Sequence, residues 1–188
     1  HVLPALIRKI HLAKLLNEGN FDAVVSDLNV KNIEDAKAYL QQFGVSAEKV
    51  EIWGTGRPMR EFLWSDDMAD ACVFIMENID FNQLIGDSLT QVGCNTQSTA
   101  QQTKEIRNTH INIGSGSDIS IKDLAYMIKD IVGFKGEIYF NADKPDGTMK
   151  KLTDVSKLHS LGWKHTIELK EGIKSVYLDY LNKFCTTY

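Results

Sequence analysis

The chain has 188 residues, 43% of them hydrophobic, and a formal net charge of −4. That length suits one ordinary domain, and the hydrophobic fraction suffices for a buried core. Scattered lysines and an acidic balance exclude the basic stripe of a nucleic-acid binder, and no apolar run approaches the roughly 18 residues that span a bilayer. Cys72, Cys94 and Cys185 stand at wide, unpatterned spacing, which fits neither a disulfide framework nor a zinc site and suits a reducing compartment. The chain opens on His1 rather than Met, which leads us to expect a piece of a longer protein, cut upstream.

Residues 2–17, VLPALIRKIHLAKLLN, predict a helix. Leu3, Leu6, Ile7 and Ile10 recur on one face, Pro4 suits the first turn, and Gly19 is a stop. Residues 33–43 predict a shorter helix with Asn32 as N-cap and Gly44 just past its end. KVEIW at 49–53 predicts a strand, and REFLW at 60–64 a second extended run. Ser65 then offers an N-cap hydroxyl, Asp66 and Asp67 occupy a first turn that favours negative charge, and Met68, Cys72, Ile75 and Met76 give that helix an apolar face. Residues 81–109 are rich in Gln, Asn, Thr and Ser without a period, which predicts a surface excursion.

HINI at 110–113 predicts a strand and GSGSD at 114–118 a turn. A helix follows, with Ser120 as cap, Asp123 completing a capping box and Gly133 as its end. GEIYF predicts another strand, NADKPDGTMKK a polar loop, and DVSKLHSLGW a short helix capped by Asp154. Thr166 caps a last helix with Leu169, Ile173, Val176, Tyr177, Tyr180 and Phe184 on its buried side. Short strands alternate with helices, so the class is α/β. Three or four strands are too few for a doubly wound sheet.

No complete catalytic engine is legible. GSGSD does not fit G-x-G-x-x-G, because Ile119 stands where the third glycine would be, and there is no Gly-x-Ser-x-Gly, His-Glu-x-x-His, Walker or Tyr-x-x-x-Lys motif. Anion receptors are legible. Arg60 follows a Gly-rich loop, and its always-charged fork suits a diphosphate. Trp53 beside Gly54 can present a flat face to a sugar or base. The turn KPDGT places Asp146 near Lys150 and Lys151. The alternatives are a surface ion pair of Arg60 with Asp66 or Asp67, a core role for Trp53, and a solvated loop for the two lysines. His1 titrates near neutral pH and could give a proton. Taken alone, a terminal histidine is a chance cut.

HVLPALIRKIHLAK, VEIWGTGRPMREFLWSDDMADACVFIME and HINIGSGSDISIKDLAYMIKDIVGFKGEIYFNADKPDGTMKKLTDVSKLHSLGWKHTIELKEGI together resemble the C-terminal half of the GDP-L-fucose synthase family. Its members are extended short-chain dehydrogenases/reductases. The resemblance covers most of the chain, and WGTGRPMREF with KPDGTMKKLTDVSKLHSLGW is its most specific part. It implies a small mixed sheet with flanking helices, with most of the Rossmann half missing. Residues 1–188 would be the substrate-binding part of a longer enzyme, with insertions at about 18–48 and 81–109. The matching positions make Lys9, Trp53, Arg60, Asp146 and Lys151 substrate-binding, and His1 the acid of epimerisation on the nicotinamide side.

The implied enzyme epimerises GDP-4-keto-6-deoxy-D-mannose at C3 and C5, then reduces C4 with NADPH to give GDP-L-fucose. It would be a cytoplasmic homodimer, without metal, nucleic-acid or membrane partners. NADPH would be bound mainly by the missing half, leaving the present chain inactive alone. Trp64 and Ser65 depart from the family pattern, and none of the three cysteines matches its catalytic one. The alternatives are a related epimerase or dehydratase using another nucleotide, and a non-catalytic nucleotide-sugar module.

Overall fold

Helix α1 (Val2–Asn17) buries the predicted stripe of Leu6, Ile7 and Ile10, with Leu3 packed partly against it, and buries Leu12, Ala13, Leu15 and Leu16 as well. The computed structural model describes residues 1–89 and 108–185, with the backbone alone at 86–89 and 183–185. It divides into two units. The first comprises His1–Phe62, Ser117–Leu152 and Ile167–Tyr188, the second Leu63–Gly116 and Thr153–Thr166.

In the first unit, the extra burial of α1 has a simple cause. The 18–48 segment folds into a helix pair whose inner residues Val24, Ala36 and Leu40 join the core. Helix α2 (Phe21–Leu28) is capped by Asn20, whose side chain accepts from Ala23 N at 3.3 Å. It is eight residues long, too short to show a clear period, and the sequence reading missed it. Helix α3 (Ile33–Gln42) carries the predicted cap, Asn32 Oδ1 accepting from Asp35 N at 2.8 Å, and the chain leaves it through Gly44 at φ +68°. The Asp27 carboxylate fastens this pair. It accepts from Arg8 Nε of α1 at 2.8 Å and from the Tyr180 hydroxyl.

Strand β1 (Lys49–Trp53) pairs in parallel with β4 (Glu137–Asn141), Val50 opposite Ile138 and Ile52 opposite Phe140. Strand β2 (Met59–Glu61) pairs antiparallel with β3 (Asp118–Ser120), Arg60 opposite Ile119. The expected small mixed sheet is divided into two ladders, one parallel and one antiparallel. Gly54 and Gly56 at positive φ turn the chain after β1, and Pro58 has no N–H to give a ladder. Two other expectations are corrected. REFLW contributes only Arg60 and Glu61 to a strand, and HINI is not a strand, since the partner of β2 is the DIS segment read as turn and cap.

Helix α6 (Ile121–Val132) has the predicted capping box, with Ser120 Oγ accepting from Asp123 N at 2.9 Å, and ends at Gly133 with φ +81°. It buries Leu124, Ala125, Ile128 and Val132, spaced for one helix face. Helix α8 (Leu169–Cys185) adds Ile173 and Tyr177 to the same core, with Leu169, Val176 and Tyr180 packed partly against it. The side chain of Phe184, expected on this face, lies outside the described residues.

The second unit holds α4 (Ser65–Asn78), α5 (Phe81–Leu89) and α7 (Ser156–Ser160). Trp64, not Ser65, occupies the N-cap of α4, without a side-chain bond. The expected apolar face is also displaced. Asp67 and Ala71 are buried and the expected Ile75 packs partly against the core, whereas Met68 and Cys72 are exposed and Met76 is 78% exposed. Asp67 turns inward because its Oδ1 accepts from Thr166 N at 3.0 Å and Thr166 Oγ1 at 2.7 Å. A buried carboxylate needs such partners, and meeting them rotates the buried stripe one residue back. Thr166 was expected to cap α8, but that helix begins three residues on, at Leu169, and the Thr166 hydroxyl donates to Asp67. Residues 81–89, expected in a surface excursion, are helical, and 90–107 lie outside the described residues. Ala71, Leu158 and Trp163 form this unit's small core, and Trp163 Nε1 donates to Asp70 Oδ2 at 2.7 Å. Asp154 Oδ1 accepts from Ser156 N at 3.0 Å where α7 begins.

Candidate functional site

The Gly-x-Gly loop after β1 is shaped by close approach. A Cβ on Gly54, at φ +87°, would lie 2.3 Å from Asp146 Oδ1, and one on Gly56, at φ +76°, 2.7 Å from the Phe140 ring. Thr55 between them gives both its donors to Asp146, N–H to Oδ1 at 2.8 Å and Oγ1–H to Oδ2 at 2.7 Å. The Thr55 hydroxyl, then the Thr55 N–H, then the Arg57 charge hold the Asp146 carboxyl below its ordinary value of 3.8. Two further bonds stitch the same loops. Met59 N donates to Met149 O at 2.7 Å, and Arg60 Nη1 donates to Thr148 O at 2.7 Å and to Met59 O at 2.6 Å. The turn that does not fit a dinucleotide fingerprint, Gly114 to Asp118, leads into β3 and not directly into a helix.

These loops and α1 enclose an open cavity of about 300 Å³ in the first unit. Lys9, Trp53, Arg60 and Asp146 line it, with Leu6 and Ile52 as apolar wall. Four residues from three distant stretches of sequence thus meet at one concavity. Trp53 is 63% exposed, which disposes of a core role, and Lys144 Nζ stands 5.3 Å from its ring centroid. Lys9 Nζ donates to Phe43 O at 2.8 Å and Glu51 O at 3.4 Å. Burial lowers its pKa, with Glu51 opposing, so an approaching anion would meet a partly desolvated ammonium.

The remaining sequence-predicted residues stand apart from this lining. Lys151 is exposed, and Lys150 Nζ lies 3.7 Å from Asp118 Oδ2. His1 is exposed ahead of α1, and the cavity wall begins with Val2. Sequence reasoning missed Thr55 and Lys144. A hydroxyl between two glycines, with an Asp-Gly turn far along the chain, was the available signal for Thr55. Nothing local indicated Lys144. Among the described residues no group of three His, Cys, Asp or Glu could hold a metal ion, and no helix is long and apolar enough to cross a membrane.

Known proteins similar to this chain cover nearly all of it. Residues 1–85 match the NAD dependent epimerase/dehydratase family. The GDP-L-fucose synthase of Escherichia coli K12 is 38% identical over 181 residues, 96% of this chain and 42% of that protein. Two solved structures from Campylobacter jejuni are more similar. A GDP-6-OMe-4-keto-L-xylo-heptose reductase is 53% identical with a TM-score of 0.83, over 97% of this chain and 48% of that one. A GDP-mannoheptose C4 reductase, solved with NADP bound, is 51% identical with a TM-score of 0.79, over 96% and 46%. The chain therefore spans less than half the length of each of these relatives. The chain is thus mixed α/β, matches that family over residues 1–85, and is similar almost end to end to part of each of these enzymes.

Proposed function

We propose that this chain forms the GDP-sugar-binding part of an NADPH-dependent enzyme that acts on a GDP-linked 4-keto sugar. The observation that carries the reading is the meeting of Lys9, Trp53, Arg60 and Asp146 at one cavity. Arg60, fixed by two loop carbonyls, directs the rest of its guanidinium fork to a diphosphate. Lys9 adds a second cation. Trp53 offers its exposed face to a ring. Asp146 is assigned a different part from the one the resemblance implied. Through Thr55 it sets the loop that positions Trp53 and Arg60. Lys151 is assigned the cavity's outer rim, and His1 proton donation to the sugar in epimerisation.

No helix among the described residues opens on a Gly-rich turn after a strand, so no described helix start offers a site for the diphosphate of a nicotinamide dinucleotide. Hydride transfer is accordingly assigned to none of these side chains, and this chain alone is proposed to be inactive. The complete enzyme is proposed to be a cytoplasmic homodimer.

The sugar has two readings. Reduction after epimerisation at C3 and C5, as in GDP-L-fucose synthesis, follows the resemblance. A GDP-heptose as substrate is favoured by one observation, the 51–53% identity to two heptose reductases against 38% to the fucose synthase.

Calorimetric titration with GDP, UDP and dTDP tests the nucleotide. We expect GDP to bind best, and Arg60→Ala to weaken it at least about ten-fold, as loss of a charge-assisted hydrogen bond does. Preference for UDP or dTDP would move the chain to another nucleotide. Binding of none would leave a module without this function.

A further inference from the structure

We infer that Lys144 is a positioning residue of this site, a cation that holds the Trp53 indole in place for a ring of the bound ligand. The inference rests on the proposed GDP-sugar reading and deepens it.

Trp53 is the last residue of β1 and is 63% exposed. A side chain so exposed has little packing to choose its rotamer. A stacking surface that must be ordered as the ligand arrives loses affinity to that ordering. The Lys144 ammonium supplies the hold that packing does not. Its Nζ stands over the indole, 5.3 Å from the ring centroid. That lies within the reach of a cation–π attraction, and tryptophan offers the strongest face for one. Among the described residues no carboxylate forms an ion pair with Lys144, so the ring and not an acid sets where the ammonium lies.

The backbone is built to bring the two residues together. Trp53 stands opposite Asn141 in the parallel ladder of β1 and β4. The Asn141 carbonyl accepts from Gly54 N at 2.9 Å and from Lys144 N at 3.2 Å. One oxygen thus anchors both the residue that follows Trp53 and the residue that covers it. The Asn141 side chain secures the same joint. Its Oδ1 accepts from Asp143 N at 3.1 Å, and its Nδ2 donates to Glu51 Oε1 of β1 at 2.8 Å. The turn from Asn141 to Lys144 is therefore fixed to the end of β1, and the lysine side chain starts from a set point beside the ring.

Lys144 does not itself line the cavity. What it does to a ligand there, it does through the indole. With one face of the ring against the ammonium, a ligand's ring has the other. The phosphates are left to Lys9 and Arg60, which do line the cavity.

The test titrates the 188-residue chain with GDP and with inorganic pyrophosphate, which carries the charge but no ring. The variants are Lys144→Met, Lys144→Arg, Trp53→Ala and the double variant Lys144→Met/Trp53→Ala. Lys144 is exposed, so its replacement spares the core. We expect Lys144→Met to weaken GDP about two- to five-fold, the effect of one exposed cation–π contact. Lys144→Arg should bind GDP as the parent does, and pyrophosphate should bind all three alike. In the Trp53→Ala background, Lys144→Met should change nothing further. Unchanged GDP affinity in Lys144→Met, with loss in Trp53→Ala, overturns the positioning role and leaves the GDP-sugar reading standing. A loss that persists in the Trp53→Ala background, or extends equally to pyrophosphate, also overturns it, since the ammonium would then act on the phosphates directly. A loss that Lys144→Arg does not relieve overturns it as well, because either cation should hold the ring. GDP affinity indifferent to Trp53→Ala removes the ring from the site and this inference with it. No GDP binding by the parent chain overturns the reading of the site itself.

Discussion

Asp146 and Thr55, ninety-one positions apart, are joined by two hydrogen bonds at 2.8 and 2.7 Å that lock the Gly54–Gly56 loop against the loop after β4. The clamp works only because Gly54 has no Cβ. In Gly54→Ala the new methyl would lie 2.3 Å from Asp146 Oδ1, at a backbone φ of +87°. The conformation alone costs an L-residue about 1–2 kcal/mol, and the clash adds to it. We expect a lower unfolding midpoint in urea and weaker GDP binding together. An unchanged midpoint would show that the loop has another way to sit.

The same clamp predicts a pH response. The Asp146 carboxyl is held below its ordinary 3.8 by Thr55 and Arg57. A depressed carboxyl favours the fold above the unfolded value and loses that effect as pH falls through the folded one. The window therefore lies below about 3.8. Carbon-13 NMR of the Asp146 side chain should show a midpoint under that value, and Thr55→Val should move it upward.

Trp53 separates ligand binding from stability. It is 63% exposed, so Trp53→Ala should change unfolding free energy by no more than about 0.5 kcal/mol. GDP affinity should fall, and with it any ligand-induced change in indole fluorescence. A large loss of stability would mean that the ring packs where it stands exposed.

Arg60→Lys keeps the charge and loses the fork. Arg60 Nη1 donates to both Thr148 O and Met59 O, a geometry one ammonium cannot reproduce while also meeting a diphosphate. The variant should bind GDP nearly as weakly as Arg60→Ala. Affinity equal to the parent would assign Arg60 a charge effect only.

His11 gives the fold a dependence on pH unrelated to the cavity. It is buried on α1, its Nδ1 3.0 Å from Tyr177 Oη and its ring edge-on to Tyr177 and Tyr180. Burial lowers its pKa from 6.5. Lys14 adds to that, and Asp27 and Glu18 oppose. The fold thus favours the neutral ring, and its contribution is complete above about 6.5 and declines as pH falls from there toward the folded value. Urea unfolding should show stability falling with pH in that range, with a shallower slope in His11→Phe.

Local chemistry fixed by itself what it could. The caps Asn32 and Ser120, the stops Gly44 and Gly133, β1 and the face of α6 depend on contacts within a few residues, and their signals lay in the sequence. Trp53 and Arg60 stood out too, because a Gly-x-Gly loop with an aromatic and an arginine is an unusual local composition, and Asp146 was marked by its KPDGT turn. Tertiary structure decided the rest. The buried side of α4 was set by Thr166, ninety-nine positions from Asp67. The pairing of β2 with the segment before α6 was set by a ladder fifty-nine residues apart. The hydrogen bonds of Asp146 were set by Thr55, and the extra burial of α1 by a helix pair whose shorter member left no period to read. In each case the deciding partner lies far along the chain, where a propensity summed over neighbours carries no information, and only burial and hydrogen-bond satisfaction choose among the possible mates.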